Sequence, residues 1–104
     1  MRTYRLSSVT RERLAEIRQY TQERWGEDQA YVYTEGLFAT FDGIVGNRIR
    51  SRLIPEEYGV DGWMTRYRSH FIYWRELSDG NIGIATILHV SMDLPNRLKK
   101  DFSP

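Results

Sequence analysis

Proton-transferring and cationic side chains are the residues of this sequence that could do chemistry. The groups able to exchange a proton are His70, His89, Tyr67, Tyr73 and Glu57. Cleavage of a phosphodiester by a neighbouring hydroxyl needs a base, a cation for the developing charge and an acid for the leaving oxygen. His89, Arg68 and Tyr67 are the candidates for such a reaction. The alternative interpretation is structural, with His89 tying down a strand end and His70 hydrogen-bonded at a turn.

Three arginines alternate with other residues in the segment 48–52, at Arg48, Arg50 and Arg52. Alternate side chains of an extended chain point to the same face, so these three would form one basic row. Arg68 and Arg75 lie on predicted strands that could be close to it. A guanidinium matches phosphate oxygens. The row could instead pair with acidic groups of a protein partner, or be solvated at a sheet edge.

No metal or cofactor site is predicted. The sequence has no cysteine, which excludes disulfides and thiolate ligands. His70 and His89 are too far apart in sequence to match a familiar ligand spacing. No glycine-rich phosphate loop follows a strand and opens a helix.

The composition is that of one small folded domain, covering residues 1–104. Hydrophobic residues make up 40% and aromatic residues 13%, enough for a core. Fifteen basic residues are balanced by 14 acidic ones, giving a net charge of +1. That balance argues against a protein that coats nucleic acid through bulk charge. Any basic site must therefore be local.

Targeting signals are not expected in this chain. Arg2 and Arg5 lie near the start, but no apolar stretch of a signal peptide follows them. No apolar run approaches the ~18 residues of a transmembrane helix. The expected location is the cytoplasm, with no membrane partner.

Apolar residues recur at helical spacing over two predicted helices, residues 9–25 and 27–44. Ser8 is the expected N-cap of the first helix. Trp25 is expected on its apolar stripe, and Gly26 ends it. A connection this short predicts an αα-hairpin. Gly36 indicates close approach of the neighbouring helix.

The rest of the chain alternates with the period of strands. A short edge strand is predicted over 3–7, and further strands follow the hairpin, over 48–53, 65–69, 71–76 and 81–89. Asp79-Gly80 predicts a tight turn before the last strand, which is apolar on both faces and therefore central. Residues 95–102 have helical spacing. The predicted fold class is α+β, with an N-terminal αα-hairpin packed on an antiparallel β-sheet and a short C-terminal helix.

Large apolar groups occupy both sides of the strand at 71–74. One face should pack on the helices, and the other would be exposed unless a partner covers it. This reasoning, with the basic row, gives the candidate partner-binding residues Arg48, Arg50, Arg52, Phe71, Tyr73, Trp74, Arg75 and Met92.

Four short motifs resemble those of ParE-type toxins in the ParE/RelE superfamily. They are Tyr20-Thr21 followed by Trp25-Gly26 and Gln29-Ala30, then the runs 67–75, 79–84 and 87–93. Each motif is weak alone, but their order and the helices between them match the family from the first strand to Leu98.

The resemblance implies a toxin of a type II toxin–antitoxin system. Such proteins are neutralised by a ParD-like antitoxin, and several inhibit DNA gyrase without being enzymes. Operator DNA would be reached through the antitoxin alone. The alternative is a ribosome-dependent messenger-RNA endonuclease of the RelE kind. Some of those relatives have a catalytic histidine at the strand end where His89 lies.

Overall fold

The computed structural model describes residues 2–102 and has an α+β architecture, as predicted. The elements are β1 (Tyr4–Leu6), α1 (Ser8–Trp25), α2 (Glu27–Val45), β2 (Arg52–Leu53), β3 (Trp63–Tyr67), β4 (His70–Glu76), β5 (Ile82–His89) and α3 (Leu94–Phe102), with a single 3-10 turn at Glu56–Tyr58. Within residues 2–102, no helix is both long and apolar enough to cross a bilayer.

The αα-hairpin is defined by a side-chain cap at the start of α1 and by a glycine between its two helices. Ser7, one residue before the predicted cap, accepts a hydrogen bond from the Thr10 N–H at 2.9 Å and starts α1. Gly26 has φ +92°, which favours glycine, and it joins the two helices directly. The predicted helix bounds are therefore confirmed to within one residue.

The five strands have the order β1-β5-β4-β3-β2. All neighbours are antiparallel except β1 and β5, where Tyr4 to Leu6 run parallel to Ile82 to Ile84. The prediction of a wholly antiparallel sheet is wrong for this pair. Parallel strands need a long crossover connection, which here begins with the whole helical hairpin.

The predicted strand over 48–53 is reduced to two residues, Arg52–Leu53. Asn47 has a left-handed backbone, with φ +56°, and the Arg48 N–H donates to the Gly43 carbonyl at 2.8 Å. The chain therefore turns back on the end of α2. It reaches β3 only at Arg52, which pairs with Met64.

The sheet carries a hydrophobic core on each face. The helical hairpin covers one core, through residues such as Leu37 and Phe41 that pack on Ile72. Helix α3 covers the other core, in which its Leu98 lies with Tyr73 of β4. A bulge in β5 opposite Tyr73 and Trp74 shifts the alternation of its side chains by one residue, so that apolar residues of β5 reach both cores. The expectation that one face lies open is thus wrong, because α3 folds across it.

A buried ion pair ties α3 to the rest of the fold. Arg13 of α1 donates two hydrogen bonds to the Asp101 carboxylate, at 3.0 and 3.1 Å. The Thr86 hydroxyl of β5 donates to the same carboxylate at 2.8 Å. The Asp101 side chain is 5% exposed and that of Arg13 is 14% exposed. We call this group the Arg13–Asp101 clamp.

Gly36 on α2 makes room for a side chain from the sheet rather than for the neighbouring helix. A Cβ at this position would overlap the Tyr67 hydroxyl of β3. The predicted close approach exists, but the element that approaches is β3.

Candidate functional site

The histidines meet at one end of the sheet. Tyr67 pairs with His70 across β3 and β4, and His70 pairs with His89 across β4 and β5. The two imidazole rings touch edge to face, with centroids 5.2 Å apart. Tyr33 of α2 reaches the same place, and its hydroxyl lies 2.7 Å from His70 Nδ1.

Hydrogen bonding fixes the tautomer of one ring, and burial determines the charge of the other. The Ser91 N–H donates to His89 Nδ1 at 3.1 Å, so the neutral His89 ring carries its proton on Nε2. Burial and, to a smaller extent, neighbouring His89 together lower the pKa of His70 to about 4. His70 is therefore neutral near pH 7. Burial also raises the pKa of Tyr33, which keeps its hydroxyl proton.

The turn between β3 and β4 presents Arg68 at its tip. Arg68 has a left-handed backbone, with φ +51°, which costs about 1 kcal/mol for a residue with a side chain. Neighbouring hydrogen bonds hold the turn, since the Ser69 N–H donates to the Tyr33 hydroxyl and the Val90 N–H donates to the Ser69 carbonyl. The exposed Arg68 guanidinium lies over the Tyr67 ring, 5.7 Å from its centroid.

These contacts bring the three candidate catalytic residues, His89, Arg68 and Tyr67, to one end of the sheet. The three side chains are not all accessible to a substrate, because the Tyr67 hydroxyl packs against Gly36. Tyr67 also packs edge to face on Tyr33, with centroids 5.1 Å apart. Sequence reasoning missed Tyr33, since nothing in its helical position shows that it reaches the β3–β4 turn.

A trough runs along α1 beside the histidines. It consists of two hollows of about 430 and 280 Å³, which share Tyr20, His70 and His89 as walls. The larger reaches Arg13 and Met92, and the smaller reaches Trp25. The distance along α1 from residue 13 to residue 25 is about 18 Å at 1.5 Å per residue. The trough can therefore hold several residues of a bound chain.

An exposed aromatic cluster stands at the α2 end of the trough. The Arg24 guanidinium lies 5.4 Å from the Tyr20 ring centroid and 5.3 Å from that of Trp25. The side chains of Tyr20 and Trp25 are 55% and 61% exposed. The place of Trp25 on the apolar stripe predicted a core residue, and this prediction is wrong. Trp25 is the last residue of α1 and stands exposed at the edge of the smaller hollow. Sequence analysis did not single out this cluster.

The basic row at Arg48, Arg50 and Arg52 is exposed along its whole length. Its geometry differs from the prediction, since only Arg52 belongs to a strand. Among residues 2–102, none of the three forms an ion pair.

The other candidate partner residues divide by burial. Tyr73 is 0% and Trp74 is 7% exposed, so both are covered by this chain itself. Phe71 is half-buried, and Arg75 is exposed with its guanidinium 4.5 Å from the Phe102 ring centroid. Met92 is 38% exposed and forms a wall of the trough.

Among residues 2–102, no three His, Asp or Glu side chains come together where a metal ion could bind.

Comparison with known proteins decides the family. Residues 4–94 match the family of the ParE toxin of type II toxin–antitoxin systems, parDE. The chain belongs to the ParE toxin family. This membership confirms the resemblance that the four motifs carry.

Individual relatives agree with the family match. Toxin ParE1 of Mycobacterium tuberculosis, in both strain CDC 1551 / Oshkosh and strain ATCC 25618 / H37Rv, is 31% identical over 100 residues, covering 91% of this chain and 96% of the relative. A solved chain of the chromosomal ParDE TA system from P. aeruginosa superposes with a TM-score of 0.65 at 17% identity. That superposition covers 88% of this ParE family member and 98% of the solved chain. It therefore supports the shared fold.

Proposed function

We propose that this chain is a cytoplasmic toxin that binds DNA gyrase, cuts no covalent bond and is neutralised by a ParD-like antitoxin. Membership of the ParE family over residues 4–94 is the observation that carries the proposal. Operator DNA is contacted by the toxin–antitoxin complex through the antitoxin. No cofactor takes part.

The contacts of His70 and Tyr67 support an inhibitor rather than a nuclease. His70 is neutral at pH 7, and its Nδ1 is engaged by the Tyr33 hydroxyl. The Tyr67 hydroxyl is packed against α2. A general acid or base must reach the proton it transfers within hydrogen-bond distance. These two contacts withdraw Tyr67 and one nitrogen of His70 from a substrate.

A ribosome-dependent messenger-RNA endonuclease is the second candidate function. The observation in its favour is that His89 and Arg68 lie at the same end of the sheet, beside His70. His89 forms a wall of the trough. A substrate phosphate could approach it there.

One substitution separates the two functions. We expect purified His89→Gln, with its thermal stability verified, to keep toxicity within a few-fold, because glutamine keeps a donor and an acceptor but is no base near pH 7. Loss of a true general base would cost about 10²–10⁴-fold in rate. The matched variant is His70→Gln.

Two assays complete the test. Wild-type protein should inhibit gyrase supercoiling and leave ribosome-bound messages intact. Cleaved messages, together with a well-folded but non-toxic His89→Gln, would establish the nuclease instead.

The basic row at 48–52 and the exposed Arg75 are proposed as contacts for acidic groups of the antitoxin, along with Phe71 and Met92. Charge reversal at Arg50 should weaken that complex, and the loss should shrink as salt rises. Hydrogen exchange with and without the antitoxin provides the map. Absence of added protection in both the helical hairpin and residues 63–89 would overturn this placement.

A further inference from the structure

The Tyr20–Arg24–Trp25 cluster combines exposure with a fixed geometry. The Tyr20 and Trp25 rings meet edge to face, with centroids 6.2 Å apart, and Arg24 lies against both rings. Cation–π contact of this kind holds a guanidinium in place. Tryptophan, tyrosine and arginine are also the residues that dominate binding energy at protein interfaces. The cluster therefore has the composition of an anchor point, and its three side chains contact one another.

The Arg24 charge is not neutralised within the described chain. Among the ion pairs of residues 2–102, none includes Arg24, whereas Arg13 at the other end of the trough is paired with Asp101 and Glu16. A guanidinium has five N–H donors along its edge, and contact with an aromatic face leaves donors for a further partner. A carboxylate is the protein group that matches this edge in two parallel bonds.

The adjoining part of the trough is suited to an apolar side chain. The smaller hollow, of about 280 Å³, lies between Trp25 and Tyr20 on α1 and His70 and Tyr33 on the other side. It opens directly beside the Arg24 cluster. Tyr20, Trp25 and Tyr33 contribute aromatic rings to its walls. The Tyr33 hydroxyl is already hydrogen-bonded to His70, so it does not need a polar partner from a ligand.

We propose that a segment of the antitoxin binds in this trough, placing an apolar side chain between Trp25 and His70 and an aspartate or glutamate carboxylate on Arg24. This deepens the proposed function and rests on it, since it specifies the chemistry of the segment that the antitoxin presents. The segment lies along α1, and the Arg24–carboxylate pair sets its register.

The test uses matched pairs of variants on the full chain and the antitoxin encoded in the same operon. Arg24→Gln is matched by Arg18→Gln, an exposed arginine of the same helix that forms no ion pair within residues 2–102. Trp25→Ala is matched by Tyr31→Ala, since Trp25 and Tyr31 are 61% and 62% exposed but Tyr31 does not line the trough. Dissociation constants are measured at low and at moderate salt.

We expect Arg24→Gln to weaken the complex about 10–100-fold at low salt, and Trp25→Ala to weaken it about 30-fold or more. Arg18→Gln and Tyr31→Ala should remain within about threefold. Replacing each carboxylate of the antitoxin in turn by its amide should reveal one position that reproduces the Arg24→Gln loss. That position and Arg24→Gln should not be additive in the double variant.

Several outcomes would overturn the inference. Equal effects of Arg24→Gln and Arg18→Gln would do so, as would additivity of Arg24→Gln with every carboxylate substitution. Loss of self-association in Trp25→Ala, with antitoxin affinity unchanged, would assign the trough to a second copy of this chain. Loss of duplex-DNA binding alone would assign it to nucleic acid. If wild-type protein binds no antitoxin at all, the proposed function fails as well, which distinguishes that result from the others.

Discussion

The neutral state of His70 makes folding stability depend on pH. The ordinary pKa of a histidine is about 6.5, and burial lowers that of His70 to about 4 in the folded chain. The unfolded chain therefore binds a proton that the folded chain does not. The stabilisation is complete above pH 6.5 and is lost as the pH falls from about 6.5 to about 4.

We expect wild-type protein to lose about 1–2 kcal/mol more unfolding free energy than His70→Gln between pH 7.5 and pH 4.5, allowing for the partial exposure of the ring. Urea unfolding of both proteins at the two pH values measures it. Parallel pH profiles for the two proteins would show that His70 is not the group responsible.

Gly36 provides a second prediction at the scale of one residue. Alanine is the better helix former by about 1 kcal/mol, but its methyl group would overlap the Tyr67 hydroxyl. Overpacking costs about 1–3 kcal/mol. Gly36→Ala should therefore destabilise the protein by about 1 kcal/mol.

The control and the rescue for Gly36→Ala lie close by. Ala39→Gly, at an exposed position of α2, reports the helix propensity alone. Tyr67→Phe removes the nearest atom and should recover part of the loss in the double variant, by a thermodynamic cycle. A stabilised Gly36→Ala would mean that Tyr67 simply moves aside.

Residue-scale sequence reasoning identified His70 and His89 but could not predict that they touch. Their meeting depends on the register of β4 and β5, which can be counted outward from the turn at Asp79-Gly80. The bulge in β5 shifts that count by one. A bulge has no reliable signature in a single sequence, so the contact between the two histidines could not be predicted.

At the scale of elements, the Arg13–Asp101 clamp connects α1, β5 and α3. We expect Asp101→Asn to destabilise the protein by about 3 kcal/mol, because it leaves the Arg13 charge without its buried partner. The contrast is Asp79→Asn, which removes the exposed pair between Arg5 and Asp79 at 2.7 Å. An exposed pair contributes far less than a buried one, because solvent screens it. Equal unfolding free energies for the two variants in a denaturant titration would contradict the structural importance of the clamp.

The helical hairpin could be predicted from sequence because its signals are local. Apolar spacing, a serine cap and Gly26 all lie within the segment they determine. The parallel pairing of β1 is different, since three residues find a partner almost 80 positions away, and no local pattern encodes that choice. By contrast, the packing of α3 on the sheet could have been predicted from the sequence. Leu94, Leu98 and Phe102 indicate an apolar stripe, and a strand apolar on both faces needs such a cover.

At the scale of the whole molecule, two cores depend on one sheet. Tyr73 belongs to the core under α3, while its neighbour Ile72 belongs to the core under the hairpin. The cores should therefore unfold together. Leu98→Ala, at a residue with 0% exposure, should cost about 2–4 kcal/mol.

Cooperativity is measured by two probes on the same sample. Far-ultraviolet circular dichroism follows the helices. Tryptophan fluorescence follows the exposed Trp25 together with Trp63 and Trp74, which stack with ring centroids 5.7 Å apart. Coincident transitions for wild type and Leu98→Ala are expected. An early partial loss of helical signal would mean that α3 detaches by itself.

The parallel pairing of β1 with β5 also delays folding during synthesis of the chain. β1 is synthesised well before the strand it pairs with, since Leu6 pairs with Ile84 of β5. At about 5–20 residues per second, a ribosome needs roughly 4–16 s to synthesise the chain from Leu6 to Ile84. Throughout this interval the nascent chain can form its helices but has no complete sheet on which to pack them. The newly made polypeptide is thus exposed to chaperones and proteases before it can become the folded molecule described above.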